Sequence, residues 1–105
     1  MGVPGHPYDV ESLDGRTGRL RFIEVKGRRA DAGVVTLTRN ELLTACNAPD
    51  QYIVALVVVG LEGSVHAPRY IFRFAEQFGV KEPDFSITSV NYNLGRLLDA
   101  SEAPR

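Results

Sequence analysis

Residues 51–59, QYIVALVVV, constrain this chain more than any other stretch. The run carries five β-branched residues at strand length, which predicts a strand covered on both faces at the centre of a sheet. A length of 105 residues leaves room for one domain around it, at about 100–200 residues per domain. So short a chain buries a modest share of its surface and is expected to lean on a neighbour or a second copy. Residues 53–59, its longest apolar run, fall well short of the roughly 18 residues of a membrane helix, and no charged-then-apolar signal pattern opens the chain. A single Cys, Cys46, excludes an internal disulfide framework and a multi-cysteine zinc site, so a cytoplasmic protein without a membrane partner is expected.

The flanks supply the rest of a sheet. Residues 8–12 alternate in character and end in LDGRTG, whose Asp-Gly and Thr-Gly pairs turn the chain into a second strand, residues 20–26. A polar loop is expected over 27–33 and a short β-branched strand over 34–37. Thr38 followed by Glu41 forms a capping box, with Leu42, Leu43, Ala45 and Cys46 as the apolar stripe of a helix that Asn47 and Pro49 end. Beyond the central run, residues 69–74 and 85–92 read as strand or extended chain, and 93–100 as a short helix with Leu94, Leu97 and Leu98 inward. Residues 1–7 form an extended lead-in that starts abruptly, 8–100 the domain, and 101–105 a tail expected to fray.

Charge is unevenly spread behind the formal net value of -1. Residues 16–39 hold seven basic against two acidic groups, a local charge of +5 able to meet phosphates. Within that stretch a period of two puts Leu20, Phe22, Glu24 and Lys26 on one strand face, and Arg21, Ile23 and Val25 on the other. Asp9 on the preceding strand can converge with Glu24 across the hairpin. Two carboxylates from adjacent strands make a hard oxygen site for Mg²⁺ or Mn²⁺, to which the Val25 carbonyl can add a ligand. Such an ion serves phosphodiester hydrolysis, and Lys26, on the same face as Glu24, would orient the attacking water or stabilise charge.

The order β, β, β, α, β around this triad resembles the core of the PD-(D/E)XK nuclease superfamily, with Asp9 matching its first acidic residue and Glu24, Val25 and Lys26 its E-x-K. More closely, YDVESLD, IEVKGR, LTRNE and the run through YIVALVVV resemble the C-terminal domain named after the plant protein NO VEIN, over residues 8–98. That domain is placed among restriction-endonuclease-like folds and is often found beside helicase-like modules. The resemblance implies an α/β fold with a mixed central β-sheet flanked by helices. It also implies a Mg²⁺- or Mn²⁺-dependent endonuclease acting on DNA, one module of a larger helicase-associated or defence protein. Two departures stand out: residues 1–7 are not expected to form the helix with which the superfamily usually opens, and Tyr8 stands where its name implies Pro.

Other residues carry weaker signals. Glu11 shares a face with Asp9 and is a possible further ligand, or an exposed hairpin residue. Asn40 and Glu41, in the LTRNE stretch, suggest a site role that for Glu41 competes with helix capping. Arg28 and Arg29 are expected to contact nucleic acid, or else to be solvated. Cys46 reads as a buried structural thiol rather than a nucleophile. The competing function is a catalytically inactive module of the same fold that binds nucleic acid or docks onto a partner. A third reading is a structural fragment completed by a partner or a second copy.

Overall fold

The computed structural model describes residues 9–105. Residues 1–7 and Tyr8, the expected lead-in and first strand residue, lie outside the described residues. Strand β1 (Val10–Leu13) pairs antiparallel with β2 (Leu20–Arg29), Val10 opposite Ile23 and Leu13 opposite Leu20. The turn between them is held by the Asp14 carboxylate, which accepts the Arg16 N–H at 2.8 Å, and by Gly18 in the left-handed region at φ 71. The chain continues through β3 (Val34–Thr38), α1 (Arg39–Asn47), β4 (Tyr52–Val59), β5 (Arg69–Phe72), α2 (Phe74–Gln77), β6 (Ser89–Asn93) and α3 (Leu94–Asp99).

A four-stranded sheet runs β1-β2-β4-β5, with β4 parallel to β2 and antiparallel to β5. The apolar run therefore does lie inside a mixed sheet, and six of its eight strand residues are buried. One face, here called the front, packs Tyr52, Val54 and Leu56 against Leu37, Leu42, Phe74 and Leu97. The rear face gathers Ile23, Ile53 and Ala55 with Tyr70 and Phe72. Helix α1 forms where expected, because Thr38 accepts the Glu41 N–H while Glu41 accepts the Thr38 N–H. Its inward Leu42 is 2% exposed, a burial that contributes about 1.5–3 kcal/mol.

The structure departs from the sequence expectations in five places; in one, residues 85–88 turn rather than extend, the Asp84 carboxylate accepting the Ser86 N–H at 2.8 Å, and the strand begins only at Ser89. Strand β2 does not stop at Lys26: Gly27, Arg28 and Arg29 pair with Val57, Val58 and Val59, because the long apolar partner offers backbone groups to three more residues. Strand β3 does not join the central sheet but pairs antiparallel with β6, and its alternation of buried Val35 and Leu37 with exposed neighbours suits a ribbon laid over the front core. Strand β5 ends at Phe72, because Arg73 turns left-handed at φ 52, bonded to Asp50 and Glu76, and Phe74 opens α2. The tail is tied down at Glu102, whose backbone exchanges hydrogen bonds with Tyr70 at 2.7 and 2.8 Å, and the Arg105 guanidinium covers the Phe72 ring at 4.3 Å.

Candidate active site

The pleat of β2 turns Glu24 and Lys26 to the front face, where Phe22 packs against the core. Helix α1 is capped over the same face, so its first turn brings Glu41 to Lys26. The Lys26 ammonium lies 2.8 Å from Glu41 Oε1 and 3.5 Å from Glu24 Oε2. All three side chains are largely withdrawn from solvent, at 18% exposure for Lys26, 11% for Glu41 and 7% for Glu24. For Glu41, capping and a place in the cluster are not alternatives. Its Oε1 accepts both the Thr38 N–H at 2.9 Å and the Lys26 ammonium.

Asp9 arrives from the other side. Its N–H donates to the Ile23 carbonyl at 2.9 Å, and its Oδ2 accepts the Val25 N–H at 2.8 Å. The even residues of β2 bond toward β4, as the Phe22 and Ala30 N–H donors to Gln51 and Val59 show. Val25 therefore turns its backbone to the opposite edge, where Asp9 sits. The carboxylate is thus held at the edge of β2 beside the Glu24 position. Burial, then the charge of Glu41, push the Glu24 carboxyl up to about 8; Lys26 opposes this and Asp9 adds to it. Three carboxyl groups with one ammonium leave the cluster short of positive charge.

Other predicted residues fall outside this cluster. Glu11 is exposed on β1, across from Phe22. Arg28 is exposed and spends its Nε–H on the Val34 carbonyl at 3.1 Å. Arg29, on the opposite strand face, pairs with Asp31 at 3.3 Å. Asn40 is exposed and lines a shallow hollow with Thr38, Arg39 and Thr88. A larger cavity of about 390 Å³, lined in part by Arg19, Arg21, Asp50 and Phe72, sits at the N-terminal end of β2 and includes none of the cluster. Cys46 is half-buried with its thiol 3.7 Å from the Val80 carbonyl, and burial raises its pKa, as fits a structural thiol. Sequence reasoning missed Tyr52, which is 1% exposed on the front face; its signal was a hydroxyl in an otherwise apolar run.

Among the described residues, no three His, Cys, Asp or Glu side chains are grouped so as to hold a metal ion. Asp9 and Glu24 nonetheless fit Mg²⁺ or Mn²⁺ by donor chemistry, because Mg²⁺ is usually held by one or two carboxylates and keeps several waters. Glu41, committed to Thr38 and Lys26, is not needed as a ligand. No described helix is long and apolar enough to cross a membrane. A family model described as "Protein NO VEIN, C-terminal" matches residues 1–71. No curated protein and no solved structure matches.

Proposed function

The chain belongs to the NO VEIN C-terminal family, and from that premise we propose that the Asp9–Glu24–Lys26 cluster is a metal-dependent site for hydrolysing DNA phosphodiester bonds. One observation carries this reading: the Lys26 ammonium lies between Glu24 Oε2 at 3.5 Å and Glu41 Oε1 at 2.8 Å, with the Asp9 carboxylate fixed on the Val25 N–H at the neighbouring strand edge. A structural salt bridge would pair its charges one to one, whereas here three carboxyl groups meet one ammonium, an excess that a cation would neutralise. Asp9 and Glu24 would hold Mg²⁺ or Mn²⁺, with the Val25 carbonyl turned to the same edge. When bound, the ion would polarise a phosphoryl oxygen and acidify a water.

The chain's own groups have separable tasks. The Val25 N–H fixes the Asp9 carboxylate. Glu41 holds the Lys26 ammonium, which orients the attacking water and stabilises the charge that develops on the phosphoryl oxygens. Arg28 and Asn40, both exposed, contact flanking phosphates, while Arg29 on the other face contributes less. In a larger protein the domain would act on DNA beside a helicase-like module.

Supercoiled and single-stranded DNA, incubated with Mg²⁺ or Mn²⁺ and either wild type or Lys26→Ala, tests the reading. The expected result is metal-dependent nicking by wild type alone, with a melting curve confirming that the variant is folded. Salt-sensitive DNA binding without cleavage, indifferent to Mg²⁺ and to Lys26→Ala, would instead identify an idle binding module.

A further inference from the structure

Tyr52 opens β4 opposite Phe22, and two residues later Val54 stands opposite Glu24. Tyr52 and Glu24 therefore share the front face on neighbouring strands as diagonal neighbours, a separation within reach of an aromatic side chain. The ring is fully buried against the core, yet the hydroxyl has no hydrogen-bond partner among the described residues. A buried hydroxyl without a partner is destabilising, and phenylalanine would fill the same space without it. Among the charges that join burial in raising this phenol's pKa, Glu24 comes first, then Glu41 and Asp9, in keeping with its diagonal place beside Glu24.

We propose that Tyr52 is a positioning residue for the cation site: its hydroxyl donates a hydrogen bond to the Glu24 carboxylate when a divalent cation is bound. The inference rests on the metal-site reading above and assigns the hydroxyl a task there. The phenol would hold the Glu24 carboxylate from the core side, so that this buried side chain keeps a fixed orientation toward an ion. Hydrogen-bonded groups behind a ligand commonly set metal affinity in this way. In the ion-free chain the same hydroxyl is a cost.

The two states make opposite predictions for one substitution. Mn²⁺ titrated calorimetrically into wild type, Tyr52→Phe and Glu24→Gln, with an ion-free melting curve for each, reads both. Tyr52→Phe should raise the ion-free Tm by roughly 4 °C or more, yet weaken Mn²⁺ binding by about 10-fold or more. A lowered ion-free Tm would overturn the proposal, because the hydroxyl would then be satisfied within the fold. Mn²⁺ affinity within about two-fold of wild type in Tyr52→Phe, but lost in Glu24→Gln, would overturn it while leaving the metal site standing. Absence of Mn²⁺ binding by wild type would overturn both.

Discussion

The two faces of β2 are built from one strand and solve different problems. The rear face, which also carries Arg21 and Arg29, is apolar around Ile23, which with its neighbours Ile53 and Ala55 is nearly sealed from solvent. The front face has comparable burial but carries Glu24, Lys26 and, from α1, Glu41. Burying charge is expensive, and well-packed apolar residues in place of a buried ion cluster are often neutral or stabilising. The rear face shows that this sheet can be apolar at the same depth. The front-face charges are thus a local cost that the fold itself does not require, the pattern expected of groups kept for chemistry.

Cutting the shared foundation gives the largest effect. Leu56→Ala removes a side chain that is 1% exposed and paired with Lys26 across the sheet, and should cost about 2–5 kcal/mol in urea unfolding. Stability kept in that variant would remove β4 from the centre of the fold.

The next effect separates the faces by pH. With its pKa at about 8 against an ordinary 4.5, Glu24 in the folded chain keeps a proton that the unfolded chain releases between those values. Stability is then greatest below about pH 4.5 from this group and falls as pH rises toward 8, by up to about 1 kcal/mol per pH unit. Glu24→Gln, fixed in the neutral form, should flatten this part of the profile and melt above wild type at pH 8. Parallel profiles for the two proteins would mean that Glu24 is not the strained member of the cluster.

The smallest effect belongs to the exposed end of the same strand. Arg29→Ala loses only a solvent-exposed pair with Asp31 and should change stability by less than about 0.5 kcal/mol in the same urea assay. A larger loss would show that the end of β2 is held by more than its backbone ladder to β4.

What could be read from the sequence follows from how far each feature reaches along the chain. The alternation of LRFIEVK assigned Glu24 and Lys26 to one face, and TRNE set the start of α1, because pleat and capping are local. The contact of Lys26 with Glu41 was not legible, since it depends on where β3 delivers the helix. Likewise nothing local to Gly27–Arg29 marks a strand, because its pairing depends on Val57–Val59, and nothing in the tail itself marks the bridge of Glu102 to Tyr70. The partnering of β3 with β6 spans more than fifty residues and leaves no trace in the local pattern of VVTLT. Tyr52 is hidden in the opposite way: its apolar neighbours account for the strand by themselves, and a single hydroxyl among them leaves the pattern unchanged.

Melting wild type and Glu24→Gln at pH 8, with and without millimolar Mg²⁺, tests the proposed cation site on the charged face of β2. Binding to the folded state alone should raise the wild-type Tm and leave Glu24→Gln unmoved. An unchanged wild-type Tm, or an equal rise in both proteins, would contradict it.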